Sequence, residues 1–527
     1  MILVRGLRLL PGEGPEAPAL RAGKKLGVGA GRLEFIKLSR RSLDCRKKGD
    51  IHYVCSAVFR FRGDEGRLLA GARDAAIYAE PEYIIPRAEL PGEPPVVVGF
   101  GPAGMFAALV LAMAGARPIV LERGRDAQSR KAAVDAFRAG GPLDAECNVQ
   151  FGEGGAGTFS DGKLNTGIKD PRMGWMLRQF ALHGAPEEII WDAKPHIGTD
   201  ILIDVVQNIR RHIQALGGQI LFGTKFRELI IEGGAVKGLR FSSGGEEGEL
   251  RCSRLILALG HSARDSFESL RGQGVPMERK PFSMGLRIEH LQKDIDRAQY
   301  GRERGELPPA DYGLSIHLPG GGSAYTFCMC PGGQVIAAAS EEGGLVTNGM
   351  SYSKRDGLNA NSALLVGLKA EDFPGEGVLA GMYWQRELER AAFAWGGGNY
   401  RAPAQLAGDF LARRESRGPG AVMPSYEPGV LWGDMHKLLP PGICSVLERA
   451  LPELGKKLPG FDSPEAVLTG PETRSSSPVR ILRGRDLSSD VVGLYPCGEG
   501  AGYAGGIASA AIDGMRCAEA LLKSLGS

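Results

Sequence analysis

The chain has 527 residues, of which 43% are hydrophobic and 24% are charged, and its formal net charge is +3. This length predicts two or three domains with a sizeable core, and the composition is that of an ordinary globular protein. The small net charge gives no general case for binding nucleic acid or a membrane surface. Nine scattered cysteines without a C-x-x-C pair predict reduced thiols. The sequence also shows no signal-peptide core and no long apolar stretch. Together with the reduced thiols, these features predict a cytoplasmic protein.

The first 93 residues are predicted to form a small α+β domain. Their apolar patterns predict strands over 2–10, 33–38 and 51–61, and a helix over 17–26. A proline-rich linker is predicted to follow this domain, at Pro86, Pro91, Pro94 and Pro95. Basic residues cluster in one predicted loop, which is interpreted as a solvated surface or as a docking face for an anionic partner: Arg40, Arg41, Arg46, Lys47 and Lys48.

The segment 96–124 predicts a dinucleotide-binding unit, with strands over 96–98 and 119–121 and a helix over 105–114. A G-x-G-x-x-G turn follows the first strand and provides a tight turn, an open approach for a pyrophosphate and close helix packing: Gly99, Gly101 and Gly104. The N-terminus of the helix points free N–H groups at the phosphates. Glu122 ends the second strand, where a carboxylate accepts hydrogen bonds from a ribose diol.

Three later segments favour FAD over NAD as the dinucleotide. The glycine-rich loop 148–168 lets the backbone run close along a flat ring system, and its candidate cofactor contacts are Gly155, Gly157 and Thr158. The glycine-rich segment 493–506 leads into a predicted helix over 507–522, whose N-terminus suits the negative charge of a reduced flavin. The segment 253–262 predicts a strand that ends in a turn of small residues, after a β-meander around 220–241.

Together these segments resemble the glutathione-reductase-type FAD fold with a single dinucleotide-binding domain, as in fumarate-reductase-like and aminoacetone-oxidase-like flavoproteins. More specifically, the chain resembles a bacterial family of FAD-dependent dehydrogenases or oxidoreductases of undefined substrate. The segments that carry this resemblance cover 40–54, 151–167, 257–270, 325–363, 470–481 and 495–514. The resemblance implies that FAD is the cofactor.

The resemblance also implies roles for individual residues. Gly99, Gly101 and Gly104 would hold the pyrophosphate, Glu122 and Arg123 the adenosine ribose, and Phe226 the adenine through its backbone. Ala258 and Gly260 would lie at the strand end behind FAD, and Gly498 and Glu499 would approach the ribityl–phosphate portion. Gly505, Gly506 and Ile507 would start the helix at the pyrimidine edge of the flavin.

Lys163 and Arg474 are the candidate catalytic residues. Lys163 would stabilise reduced flavin or hold an anionic substrate, with a surface lysine or a phosphate contact as the alternative. Arg474 would clamp a substrate carboxylate, with an internal ion pair as the alternative. His261 is a candidate general base, although a structural hydrogen bond is the favoured interpretation. Cys328 and Cys330 share one face of a strand, so they form a candidate redox or metal pair, with buried structural thiols favoured. The sequence has no metal-ligand spacing, and no metal is expected.

Two absences narrow the reaction class. No second G-x-G-x-x-G follows a strand in the middle of the chain, which disfavours a disulfide reductase with its own NAD(P)H domain. The D-G motif of aromatic hydroxylases is missing from 257–264, which disfavours oxygen insertion.

The sequence therefore predicts an α/β fold: a Rossmann-like FAD-binding domain with an inserted mixed α+β, largely antiparallel substrate domain and a small N-terminal α+β domain. The predicted boundaries are 1–93, 94–270, 271–480 and 481–527, and the last range completes the FAD-binding domain. The predicted activity is transfer of a hydride between flavin N5 and a small organic substrate, an anionic one if Lys163 and Arg474 face it.

The expected partners are this substrate and an electron donor or acceptor of unknown identity, with no membrane. Nucleic acid is not expected, although a flavoprotein that acts on RNA through its basic N-terminal domain is the alternative, and a flavin-binding protein without turnover is a third interpretation.

Overall fold

The computed structural model describes residues 1–87 and 92–524. Pro91 of the predicted linker lies outside these residues. The α-helices of the described part are α1 Ala17–Leu26, α2 Glu65–Leu69, α3 Pro102–Met113, α4 Ala127–Arg138, α5 Arg172–Leu182, α6 Thr199–Ala215, α7 Arg264–Gly272, α8 Gln292–Tyr300, α9 Ala380–Trp395, α10 Ala407–Leu411, α11 Pro441–Lys457 and α12 Ile507–Lys523.

The strands of the same residues are β1 Ile2–Leu9, β2 Leu33–Asp44, β3 His52–Phe61, β4 Ala75–Ile77, β5 Val96–Val98, β6 Ile119–Leu121, β7 Gln219–Leu221, β8 Thr224–Glu232, β9 Ala235–Ser243, β10 Glu246–Arg251, β11 Leu255–Leu257, β12 Met277–Arg279, β13 Phe282–Leu291, β14 Ser315–His317, β15 Ser323–Cys330, β16 Gln334–Ala337, β17 Thr347–Met350, β18 Asn359–Leu368, β19 Ala402–Leu406, β20 Val430–Trp432, β21 Val467–Glu472, β22 Val479–Ile481 and β23 Leu494–Pro496.

The N-terminal segment forms an antiparallel sheet in the order β2-β3-β1-β4, with α1 packed against it. Strand β2 is longer than the predicted 33–38, so Arg40 and Arg41 lie in a strand and not in a loop. The Arg41 guanidinium donates to both carboxylate oxygens of Asp192 at 2.7 and 2.9 Å, and the Arg41 N–H donates to the Trp191 carbonyl at 2.7 Å. This side of the basic cluster therefore faces the rest of the protein.

A five-stranded parallel sheet, in the order β23-β11-β5-β6-β7, forms the frame of the central unit. Helices α3 and α12 pack together on one face of this sheet within one hydrophobic core. Helix α3 begins at Pro102, before the predicted start at 105, because a proline suits the first turn of a helix, where its missing N–H has no intrahelical partner. The predicted meander is present as the antiparallel sheet β8-β9-β10.

A seven-stranded sheet, in the order β14-β15-β18-β13-β21-β19-β20, forms the second large layer. All its neighbouring strands are antiparallel except the pair β19 and β20. Its core also contains apolar residues of α8 and α11. The protein thus has a mixed α/β fold, which confirms the predicted fold class at this level, while the domain boundaries stay a prediction.

Candidate functional site

A cavity of about 480 Å³ lies where the parallel strands of the central sheet end. Its wall contains the ends of β5, β6, β11 and β23 and the starts of α3 and α12, and strand β15 of the large sheet covers its other side. Ligands of open α/β sheets bind outside the carboxyl ends of the strands, and this volume falls within the usual range of ligand pockets, about 300–1,000 Å³. The cavity is therefore the candidate site.

The three fingerprint glycines have different surroundings. A Cβ on Gly99 would lie 2.3 Å from the Ala258 carbonyl oxygen, and a Cβ on Gly104 would lie 1.9 Å from the Gly99 carbonyl oxygen. Both positions are closed by protein backbone, so these two glycines serve packing. A Cβ on Gly101 would meet only the Gly155 Cα, at 3.7 Å, and Gly101 lines the cavity. The space beside Gly101 is therefore left open for a ligand.

Two helices begin at the cavity without a side-chain cap. Gly101 precedes α3 and Gly506 precedes α12, and neither helix start receives a hydrogen bond from a capping side chain. The first turns of both helices therefore offer uncommitted N–H groups and partial positive charge. A pyrophosphate at α3 and the electron-rich edge of a flavin at α12 fit these two donor sets.

Glu122 is a buried carboxylate that holds three backbone segments together. It accepts hydrogen bonds from the N–H groups of Phe100 at 2.8 Å, Gly124 at 2.9 Å and Gly152 at 2.9 Å. A carboxylate has about four lone-pair sites, and backbone N–H groups occupy three of them in Glu122. About one acceptor site therefore remains for the expected ribose hydroxyl. Glu122 lines the cavity, as the expected contact requires.

The predicted adenosine contacts lie beside Glu122. The Arg123 guanidinium stacks 4.0 Å from the Phe151 ring centroid and forms ion pairs with Glu146 at 2.7 Å and Asp265 at 3.1 Å. Phe226 is buried in β8 and, like Arg123, lines the cavity. These contacts fix Arg123 in one orientation, so it is a preformed part of the wall.

The second glycine-rich loop contacts the start of α12. Gly155 and Gly157 line the cavity, and a Cβ on Gly157 would lie 2.9 Å from the Ile507 Cγ1. Thr158 is buried behind this surface, and its hydroxyl donates to the Glu153 carbonyl at 3.2 Å. The structure therefore favours a structural role for Thr158 over the predicted cofactor contact.

The strand end after β11 and the late glycine segment with the start of α12 also contribute to the wall. Ala258, Gly260, Gly498, Gly505, Gly506 and Ile507 all line the cavity. The Gly498 N–H donates to Asp513 at 2.8 Å, and Glu499 accepts a long hydrogen bond of 3.4 Å from the Gly506 N–H. Burial raises the pKa of Glu499 to about 7. This carboxyl group therefore titrates near neutral pH at the cavity wall.

His261 follows the strand end of β11, and its Nε2 lies 2.7 Å from the Arg474 carbonyl oxygen. Burial first, and then the positive charges of Arg474, Arg264 and Lys280, lower the pKa of His261 to about 3. Because a carbonyl oxygen only accepts, Nε2 is the donor of the neutral ring. This hydrogen bond supports the structural interpretation of His261.

Lys163 lies at the cavity wall in a cluster of two cations around one carboxylate. Its ammonium group forms an ion pair with Asp161 at 2.9 Å and donates to the Met329 carbonyl. Arg355 donates to the same carboxylate through Nε at 2.9 Å and also through Nη2. Burial lowers the pKa of Lys163, but the attraction of Asp161 outweighs it, and the pKa lies above its ordinary value. Lys163 is thus a cation at neutral pH.

Comparisons with known proteins were consistent with this geometry. Residues 281–475 match the family described as FAD-dependent protein, C-terminal domain-like. An uncharacterized protein of Clostridium beijerinckii (strain ATCC 51743 / NCIMB 8052) is 46% identical over 510 residues, which cover 95% of this chain and 94% of that protein. The chain belongs to the same family as this clostridial protein. FAD is the cofactor of this chain.

Solved structures with a related fold include the flavin-dependent brominase Bmp2, at 14% identity and a TM-score of 0.38, covering 82% of this chain and 79% of that one. A geranylgeranyl bacteriochlorophyll reductase-like protein of Thermoplasma acidophilum has 14% identity and a TM-score of 0.37, over 82% and 78% of the two chains. The quinol fumarate reductase FrdA of E. coli has 10% identity and a TM-score of 0.36, over 82% and 69%. Structural similarity at this level does not indicate the activity of this chain.

Arg474, the second candidate catalytic residue, uses its guanidinium inside the protein. It donates to Glu389 through Nε at 3.0 Å and Nη2 at 2.7 Å, and to Ser340 through Nη1. Arg264 binds the same carboxylate through two bonds of 2.8 Å, and Glu389 is fully buried. The bidentate edge expected to clamp a substrate is therefore directed at Glu389, which favours the internal ion pair; Arg474 also lines the cavity, and its catalytic role stays a prediction.

Sequence reasoning did not single out the partners that build this wall. Arg355, in the loop between β17 and β18, and Glu472, at the end of β21, line the cavity, and Arg287 of β13 binds Glu472. Arg287 is fully buried in β13 between apolar neighbours. An arginine within the largely apolar segment FSMGLRIEHL could have indicated a buried ion pair, because arginine is almost never fully buried unless it is paired.

One cluster in the described part of the chain has the geometry of a metal site. One ligand atom each from Cys497, Asp513 and Cys517 lies within 4.8 Å of the others. The Arg483 guanidinium donates to Asp513 at 2.7 Å and to the Cys517 Sγ at 3.3 Å. Because the Arg483 guanidinium already neutralises Asp513, the contacts indicate an internal ion pair and not a bound metal ion.

Across residues 1–87 and 92–524, helices long and apolar enough to cross a membrane are absent.

Proposed function

We propose that the protein is an FAD-dependent oxidoreductase that transfers a hydride between flavin N5 and a small anionic organic substrate. Bound FAD supplies the hydride chemistry, and the chain supplies binding, orientation and charge. The observation that carries the anionic preference is the sharing of Asp161 by Lys163 and Arg355 at the cavity wall. Two cations and one carboxylate leave a surplus positive charge there when Cys328 carries no charge, as a protonated thiol or in a disulfide.

Lys163 has the geometry to bind such an anion. Of the three donors on its ammonium group, one is directed to Asp161 and one to the Met329 carbonyl, which leaves one for a ligand. The neighbouring His196 does not add charge near neutral pH, because burial lowers its pKa to about 4. In a partly dry cavity, a charge-assisted hydrogen bond from Lys163 would orient a carboxylate or phosphate group.

Anaerobic mixing of the FAD-loaded protein with anionic metabolites and their neutral amides or esters tests this proposal through loss of the visible flavin band. We expect an anionic compound to bleach the flavin and its neutral counterpart to fail. Lys163→Met should retain FAD and slow the bleaching by about tenfold to a thousandfold, as for a lost stabilising contact. Lys169→Met, at an exposed lysine outside the cavity wall, is the control. Equal bleaching by neutral and anionic compounds would overturn the anionic preference.

The alternative of a flavoprotein that acts on RNA has less support. Within the basic cluster of the N-terminal sheet, Arg41 is paired with Asp192 and Arg46 with Asp44. These carboxylates reduce the positive charge that would attract a phosphate backbone. Retention on heparin at moderate salt, together with co-purified nucleic acid, would revive this alternative.

A further inference from the structure

Strand β15 places two cysteines beside the cavity in the sequence Cys328-Met329-Cys330. Cys328 lines the cavity, and Cys330 is fully buried next to it. Met329 packs into the hydrophobic core of the large sheet, as expected when successive strand residues point to opposite faces. Cys328 therefore faces the cavity, and Cys330 lies buried behind it.

The backbone at these cysteines departs from a regular strand. The pairing of β15 with β18 shifts register between Phe327 and Cys330, and Cys328 has a φ of 43°, in the left-handed region that a side chain rarely adopts. This bulge turns the Cys328 carbonyl toward the next cysteine, whose Sγ donates to it at 3.2 Å. Such bulges re-aim side chains next to functional sites, and this one places the Cys330 Sγ against the Cys328 backbone.

The buried Arg287 and the half-buried Lys163 hold this tripeptide in place. Arg287 donates to the Cys328 carbonyl at 3.0 Å while its other donors bind Glu472 at 2.6 and 2.7 Å. Lys163 donates to the Met329 carbonyl from the opposite side. The acidic groups near the thiols are Asp161, paired with Lys163, and Glu472, paired with Arg287, while Glu499 lies across the cavity. The thiols thus lie between two ion pairs.

This environment makes the two thiols unequal. A hydrogen bond from the Cys330 side chain, together with the charges of Lys163 and Arg287, lowers the pKa of Cys328 despite its burial. The same hydrogen bond and burial raise the pKa of Cys330. A thiolate that faces a cavity next to a protonated partner thiol is the arrangement of reactive cysteines, whereas inert cysteines lie in apolar surroundings.

We propose that Cys328 and Cys330 form a dithiol–disulfide pair that exchanges an electron pair with FAD. On oxidation of the pair, the Cys330 S–H bond breaks and one S–S bond forms between the Cys328 thiolate and the Cys330 sulfur. The two electrons and the one proton pass to oxidised FAD; the reverse reaction consumes reduced FAD and returns the proton to Cys330. The proposal depends on FAD in the cavity but not on which small substrate donates the hydride.

A reductive titration of the oxidised, FAD-loaded protein tests the proposal. Dithionite is added anaerobically while the visible flavin band is followed, and alkylated thiols are counted by mass spectrometry at each point. We expect wild type to take up one more electron pair per flavin than Cys328→Ser or Cys330→Ser. The peptide that contains both cysteines should change from unreactive to doubly alkylated. Cys497→Ser is the matched control, because Cys497 lines the same cavity outside this pair.

Three results would overturn the proposal: equal electron uptake by wild type and Cys328→Ser, full alkylation of the peptide before any dithionite is added, or loss of the extra electron pair in Cys497→Ser alone. If the serine variants lose FAD, the thiol count on wild type still decides, because it needs no variant. The anionic-substrate proposal is tested separately, since its readout is the choice of compound that bleaches the flavin.

Discussion

At the scale of single residues, the missing side chains of the three fingerprint glycines serve two different purposes. Gly99 and Gly104 are closed off by backbone atoms, whereas Gly101 faces open space. The same G-x-G-x-x-G spacing therefore contains two packing positions and one ligand position. Substitution at Gly101 should accordingly affect cofactor binding more than folding.

Gly101→Val is expected to weaken FAD binding while the protein remains folded. The added side chain would enter the cavity, and overpacking of this kind costs about 1–3 kcal/mol, or about tenfold to a hundredfold in Kd. FAD content after purification and titration of stripped protein with FAD measure the effect. Gly49→Val, at an exposed loop glycine with no atom near its Cβ, is the control. FAD binding equal to wild type would contradict the assignment of the turn.

Glu499 should make the stability of the FAD-free protein depend on pH. Its pKa is raised from 4.5 to about 7 by burial, so between these values the folded state retains a proton that the unfolded state releases. Stability is then lost as pH rises through this window, up to about 3 kcal/mol at higher pH. Glu499→Gln should raise the apparent Tm above wild type at pH 8 but not at pH 4, whereas the exposed Glu376→Gln should show no such difference. A gain of equal size at both pH values would exclude a titrating carboxyl group.

At the scale of elements, helix α9 fixes the polypeptide that covers the cavity. Its Glu389 accepts hydrogen bonds from Arg264, Arg474 and the Thr473 hydroxyl, the last at 2.6 Å. Arg264 begins α7, and Thr473 and Arg474 follow β21, so a single carboxylate of α9 joins three elements. Desolvation raises the pKa of Glu389, but the charges of the two arginines outweigh it and keep the pKa far below its ordinary value.

Glu389→Leu should strongly destabilise the protein, because it removes the one fully buried carboxylate that two buried guanidinium groups share. Breaking a buried pair in this way costs about 3–5 kcal/mol. The midpoint of urea unfolding measures the change. Glu387→Leu, at an exposed position of the same helix, should stay within about 0.5 kcal/mol of wild type. Equal midpoints for the two variants would mean that the cluster contributes no net stability.

The sequence predicted the elements whose signal is local and missed those set by distant partners. The turn after β5, the meander and the start of α12 depend on glycines and apolar patterns within about twenty residues. Arg474 shows the opposite case: its partner Glu389 lies 85 residues away, and nothing in the local sequence distinguishes an internal partner from a substrate. The bulge in β15 was also unpredictable, because register depends on the neighbouring strand.

At the scale of the whole molecule, the described residues contain one all-parallel sheet, and its fingerprint turn is assigned to FAD. NADH and NADPH therefore have no dinucleotide-binding unit of their own in this part of the chain. Stopped-flow mixing of the FAD-loaded protein with either nucleotide should give slow reduction whose rate rises linearly with concentration. A rapid reduction that saturates at low concentration would contradict this prediction.

The central sheet is completed by the last strand in the chain. Strand β23 pairs with β11 across more than two hundred intervening residues, and α12 then covers the apolar α3. During synthesis, the ribosome releases the fingerprint turn long before these partners exist. The cofactor therefore has no finished pocket until β23 and α12 have been synthesised, and the nascent α3 has to be shielded from water by other means until then.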